Sequence, residues 1–125
     1  MEHIKEAHYQ ELAPVLDYIE KHYTEKIFVS ELSSIIHVCD DKMTRLFKKV
    51  TGVTPKEYVI NMRISHSIEL LIATNLSLEE IAIASGFGSN SYMTRYFKQK
   101  LETTPGRYRA EKTQRKETEH ELQLN

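Results

Sequence analysis

Thr44, Arg45 and Lys48 recur fifty residues later as Thr94, Arg95 and Lys98. Each set offers a hydroxyl, a planar guanidinium fork and an ammonium within about one helical turn. Groups like these can grip a polyanion. Residues suited to bond-breaking chemistry are scattered by comparison. The six histidines, at 3, 8, 22, 37, 66 and 120, form no His-Glu-x-x-His or other close ligand spacing. The single cysteine, Cys39, has no paired partner, and no glycine-rich loop could cradle a phosphate. Catalysis is therefore not expected, and neither is a cofactor or a metal site.

Composition sets the frame. With 125 residues the chain has the length of one domain, or of two very small lobes sharing a core. A lone cysteine cannot form an internal bridge, so nothing argues for secretion. No apolar run approaches the ~20 residues that span a bilayer. The opening MEHIKEAHYQ is neither a signal nor a transit peptide, so a cytoplasmic location with no membrane partner is expected. Seventeen basic residues against eighteen acidic ones give a formal charge of −1, which by itself argues against a nucleic-acid partner. Resolved along the chain, the balance changes. Residues 1–31 carry −4, 39–63 carry +3, 64–86 carry −3, 87–116 carry +6 and 117–125 carry −3. Two basic blocks thus alternate with acidic ones. On charge alone, solvated helix faces explain this as well as a bound polyanion does.

The repeat carries more information. Met43–Tyr58 and Met93–Tyr108 align without a gap at an offset of 50, with eight of sixteen positions identical. Upstream, Leu32–Val38 matches Ile81–Phe87 in apolar pattern at an offset of 49. Each copy reads as helix, tight turn, helix. In the first, Ser30-Glu31 opens a helix bearing Leu32, Ile35 and Ile36, and a turn at His37–Cys39 leads to a second helix with Met43, Leu46, Phe47 and Val50 on one face. Gly52 ends it. In the second, Ser77 caps a helix bearing Leu78, Ile81, Ala82 and Ala84, and Gly86 serves the turn. Ser89 or Asn90 caps the next helix, whose buried residues are expected to be Met93, Phe97 and Leu101. Thr54-Pro55 and Thr104-Pro105 each read as a cap followed by proline at the first helical position. No segment alternates with period two long enough to be a strand, so the fold class is all-α.

Ile81–Arg109, with its small-residue helix, Gly-Phe turn, Phe97-Lys98 pair, Thr104-Pro105 and Tyr108-Arg109, resembles the C-terminal signature of the AraC/XylS family of bacterial transcription regulators. Arg63 with Leu70-Leu71 resembles the family's connecting helix. The resemblance covers about residues 11–110. It implies a homeodomain-like fold of about seven helices, with two helix-turn-helix units (about 30–51 and 78–101) joined by a long helix (about 55–74). It also implies double-stranded promoter DNA and RNA polymerase as partners, and an activating role. Residues 1–10 are then a lead-in or linker, and 111–125 a flexible charged tail. The acidic lead-in is expected to continue from a preceding domain. The isolated domain is expected to be monomeric, and a longer parent protein dimeric.

Carried over position by position, the resemblance implies base-facing roles for Asp41, Thr44 and Arg45 in the first unit, and for Asn90, Ser91 and Arg95 in the second. Lys42, Lys48, Ser89, Thr94, Lys98 and Thr104 are implied at phosphates or flanks. The pattern is physically reasonable, because 41, 44, 45 and 48 share the helix face opposite Phe47. Arg matches guanine O6/N7, and Asn matches adenine N6/N7. Arg107 and Arg109 add positive charge nearby. Alternatives stay open for several of these. Arg45 and Arg95 can instead pair with Asp41 and Ser91 along their own helices, and Asp40-Asp41 can simply favour a helix N-terminus. Three departures from the pattern matter. Glu102 stands where the first copy has Gly52, which predicts a differently shaped helix end. Cys39 is a poor cap, leaving Asp40 to take over, and is expected as a small buried filler. Met93 replaces a frequent Phe and is expected in the core. The rival function is a helical protein-interaction module.

Overall fold

The computed structural model describes the backbone of residues 2–124 and the side chains of residues 5–115. Among the described residues there are seven helices and no strand: α1 (Glu2–His22), α2 (Val29–Ile35), α3 (Asp40–Thr51), α4 (Pro55–Ala73), α5 (Leu78–Ser85), α6 (Asn90–Leu101) and α7 (Pro105–Leu124). They fall into two compact units, residues 1–62 and 63–125, which divide within α4.

The first unit packs α1, α2 and α3 around one core. Leu12, Val15 and Ile19 give α1 a buried stripe, and Leu32, Met43, Leu46, Phe47 and Val59 close over it. Tyr58 sets its ring edge-on to Phe47 at 5.3 Å and 85°. Fifty residues later Tyr108 does the same to Phe97, at 6.3 Å and 80°. The repeat therefore preserves a physical contact as well as residue types, one worth roughly 0.5–1.5 kcal/mol beyond burial.

The ends of the helices show which local expectations were met. Ser77 Oγ accepts from Glu80 N–H, Ser89 Oγ from Tyr92 N–H, Thr54 Oγ1 from Glu57 N–H and Thr104 Oγ1 from Arg107 N–H. Ser30, expected to open α2, lies inside it, and Phe28 is the N-cap. Glu31 does the capping instead. One of its oxygens accepts from Phe28 N–H and the other from the Tyr18 hydroxyl of α1, a bond that pushes the Tyr18 pKa up. Cys39 caps α3 without a side-chain bond and is exposed, contrary to the buried filler expected, because the cap position faces solvent.

Glu102 departs from expectation in an informative way. It adopts φ 57°, ψ 27°, and its N–H reaches Lys98 O at 3.2 Å, just as Gly52 (φ 83°) reaches Lys48 O at 2.8 Å. Both α3 and α6 thus end with the same left-handed cap, despite the missing glycine. Holding a side chain there costs energy. Glu102→Gly should raise stability by about 0.5–1 kcal/mol, the strain relief being partly offset by a freer unfolded chain. The midpoint of urea unfolding measures this, and no increase would show that the cap is unstrained. In the other turn the roles reverse, with His37 at φ 55° where the second unit has Gly86 at φ 96°.

One apolar expectation also needs correction. Leu101 is exposed and Tyr96 is buried in its place. Leu101 is the last residue of α6, past the packed middle of the helix, whereas Tyr96 stacks on Phe87 there and matches Leu46 in the first unit. Ala84 faces outward, and Ser85 is buried. Residues 111–124, expected as a flexible tail, continue α7, and residues 2–10 belong to α1. The sequence after Arg109 contains no Gly or Pro and is rich in Glu, Lys, Arg and Gln, all good helix formers.

Candidate nucleic-acid interface

Each unit presents the second helix of a helix-turn-helix, pinned by one apolar face. Met43, Leu46 and Phe47 bury that face of α3, and Met93, Tyr96 and Phe97 bury it on α6. The opposite face is left to solvent. On α3 it carries Asp41, Lys42, Arg45 and Lys48, all exposed, with Thr44 half-buried among them. On α6, Ser91, Arg95 and Lys98 are exposed and Asn90 and Thr94 half-buried. The two sets occupy the same register, and within each unit the expected base-facing residues stand together on its own second helix.

Their local bonds differ. Arg45 Nε donates to Asp41 O at a long 3.4 Å, a backbone contact and not the ion pair considered from sequence. Asp40 and Asp41 occupy the first turn of α3, while the first turn of α6 has no acid. Thr94 Oγ1 donates to Asn90 Oδ1 at 3.2 Å, which leaves the Asn90 amide N–H₂ to donate elsewhere. The hydroxyls of Ser89 and Thr104 are engaged in capping. These two residues fix helix starts and do not stand on the exposed face of α6.

Arg109 is not part of a cationic surface. It is half-buried in α7, and its guanidinium donates to three carbonyls at the end of α4 and in the connection to α5: Leu71 at 3.1 Å, Leu76 at 2.8 Å and Thr74 at 3.3 Å. Behind the exposed face of α6 lies an aromatic group. The Phe87 ring stacks on Tyr96 at 6.0 Å, and Tyr92 meets Tyr96 edge-on at 5.0 Å. The hydroxyls of Tyr92 and Tyr96 are 3.3 Å apart. Arg63 of α4 is half-buried against these phenols, and burial pulls its pKa below the ordinary value. The sequence pattern marked Arg63 as part of the connecting helix without indicating this role.

Among the described residues, no group of three or more His, Cys, Asp or Glu could hold a metal ion, and no helix is long and apolar enough to cross a membrane. Two helix-turn-helix units with exposed, hydrogen-bonding second helices define a DNA-binding protein. Residues 32–111 match the family described as "Helix-turn-helix domain". The chain belongs to the AraC-type helix-turn-helix family. It is 37% identical over 95 residues to the bifunctional transcriptional activator/DNA repair enzyme AdaA of Bacillus subtilis (strain 168), covering 76% of this chain and 45% of that protein. It spans less than half the length of this and other relatives. Its fold is similar to the DNA-binding domain of the global transcriptional factor AdpA, solved in complex with a target DNA. That likeness has a TM-score of 0.78 at 28% identity, covering 83% of this chain and 94% of that one. An AraC-type regulator from Chromobacterium violaceum matches with a TM-score of 0.74 at 25% identity, over 84% of this chain and 94% of that one. The homeodomain-like fold is thus shared.

Proposed function

We propose that the chain is the DNA-reading part of a bacterial transcriptional activator, acting in the cytoplasm, that sets α3 and α6 into successive major grooves of promoter DNA and engages RNA polymerase. One observation carries this reading: the same types of side chain stand exposed in the same register on the second helix of both units. Asp41, Thr44, Arg45, Asn90, Ser91 and Arg95 face the bases. Lys42, Lys48, Thr94 and Lys98 meet phosphates from the flanks, and Ser89 and Thr104 contribute by fixing helix starts. The length of α4 favours the two-groove arrangement. Its 19 residues measure about 28 Å, against a groove repeat of about 34 Å. In favour of activation, the relative AdaA is named a transcriptional activator.

Selection of binding sites from random DNA tests the reading. The expected product is an asymmetric site of about 18–20 base pairs, with two boxes one helical turn apart, bound by a monomer. Affinity for it should fall with salt with a log–log slope of about −3 or steeper, as expected if Lys42, Lys48 and Lys98 displace counterions. A palindrome bound only by dimers would overturn the reading. Salt-independent binding to a protein, with none to DNA, would favour an interaction module.

A further inference from the structure

We propose that Thr94 is a positioning residue for base selection: within the proposed DNA-reading role, its hydroxyl fixes the amide of Asn90 so that the second unit takes adenine and rejects guanine. Asn90 is the first residue of α6, and Thr94 stands one turn further on. Thr94 Oγ1 donates to Asn90 Oδ1 at 3.2 Å, and both residues are half-buried. A free asparagine side chain is ambiguous toward purines. In one orientation its carbonyl and N–H₂ match adenine N6–H₂ and N7. With the amide turned, its N–H₂ can serve guanine N7 and O6. The bond to Thr94 removes that freedom. It ties down the carbonyl end and leaves one lone pair and the N–H₂ group for a base. A guanine placed there would set its O6 against Oδ1, two acceptors with no proton between them. Such a mismatch rejects the wrong base as the matched bonds hold the right one.

The backbone under Asn90 is held too. Ser89 Oγ accepts from Tyr92 N–H at 3.2 Å, closing the first turn of α6. The Tyr92 ring stands edge-on to Phe87 at 6.1 Å and to Tyr96 at 5.0 Å. Phe87 and Tyr96 are buried, so the turn that carries Asn90 is anchored on the core of the second unit. A contact group held in advance by its neighbours loses less freedom on binding and tolerates less error in its partner. The first unit lacks this arrangement. Its equivalent positions hold Asp40 and Thr44, and a carboxylate offers acceptors only, so it has no proton to give adenine N7. Lys42 and Leu46 stand where the second unit has Tyr92 and Tyr96. Thr94 thus has a task that its counterpart Thr44 cannot share.

The test measures the affinity of the whole chain for the selected site and for its single-base variants by fluorescence anisotropy. The base pair facing Asn90 is the one at which Asn90→Ala flattens the preference. There the unmodified chain is expected to favour adenine over guanine by roughly 5- to 150-fold. Thr94→Val, which keeps the shape and removes the hydroxyl, should cut that ratio at least about threefold. Thr94→Ser, which keeps the hydroxyl, should restore it. Preferences in the other box should not move in either variant. Thr94→Val should also leave this base pair unaffected when Asn90 is already alanine. Equal weakening at every sequence, with the ratio intact, would make Thr94 a phosphate contact or a packing residue only and overturn the proposal. So would a preference for guanine at this base pair, or a selected site at which Asn90→Ala flattens no position. A chain that selects no DNA site at all overturns the DNA-reading role and this proposal with it, an outcome distinct from the others.

Discussion

Replacing Arg109 with methionine should destabilise the second unit by about 2–4 kcal/mol, more than any surface substitution. Three carbonyls, those of Leu71, Thr74 and Leu76, accept from this one guanidinium. Leu71 and Thr74 lie at the C-terminal end of α4, where helical carbonyls lack partners in the chain's own ladder. A hydrogen bond from a charged donor contributes roughly 1.5–3 kcal/mol, and an acceptor left unsatisfied in a partly buried place adds its own penalty. The site is not fully enclosed, so water recovers part of the loss, and the sum falls short of three full bonds. Methionine keeps much of the stem's packing, which confines the change to the polar head. Arg109→Lys should restore little, since a compact ammonium cannot reproduce a planar fork spread across three acceptors. Urea unfolding monitored by far-ultraviolet circular dichroism measures both. A loss below about 0.5 kcal/mol in Arg109→Met would mean that solvent serves these carbonyls as well as the guanidinium does.

Arg95→Ala should weaken binding to the selected site by about 1–3 kcal/mol, or roughly 5- to 150-fold, and Arg45→Ala by less. Both arginines are exposed on second helices in the same register. Their surroundings differ. Arg45 shares its turn with Asp40 and Asp41, whose charges oppose a phosphate backbone, and its Nε already leans on Asp41 O. No acid stands in the first turn of α6, while both helices carry two lysines in the last turn, Lys48 and Lys49 on α3 and Lys98 and Lys100 on α6. Fluorescence anisotropy at one fixed salt concentration compares the two variants directly. An equal or larger loss from Arg45→Ala would refute the ranking of the units.

Local features of the fold were legible where the sequence repeats itself. Two copies of one unit marked the turn positions, the proline-started helices and the buried Met and Phe of α3 and α6, because each copy tested the other. Legibility failed where a residue's role depends on a neighbour distant in sequence. Arg109 reads as one more cation beside Arg107, since nothing local reveals that it reaches back more than thirty residues to the end of α4. Ser30 is a better cap than phenylalanine by intrinsic preference, yet the packing of α1 placed Glu31 against Tyr18 and moved the helix start. Leu101 has the hydrophobicity of a core residue but stands at the last position of α6, whereas Tyr96 packs against Phe87 in the middle of the helix. Glu102 differs from its expected shape for another reason: the chain must turn sharply between α6 and α7, and it tolerates the strain of a left-handed cap to do so. Within the candidate site, the exposed residues of α3 and α6 were foreseen through family resemblance, whereas the cluster of Arg63, Tyr92 and Tyr96 behind them was not. Its members lie about thirty residues apart, and aromatic spacing alone does not separate it from ordinary core.

The unequal capping of the two reading helices has a consequence for motion. Ser89 closes the first turn of α6 with a side-chain bond, whereas Cys39 leaves that of α3 without one. A missing cap lowers the free energy of opening a helix's first turn by roughly 1 kcal/mol, enough to raise its open population about fivefold. That turn holds Asp41 and Lys42, so it should fray more often than its counterpart in α6, which amide hydrogen exchange in the two first turns would measure. Two copies of one device thereby differ in the stiffness of their leading turns.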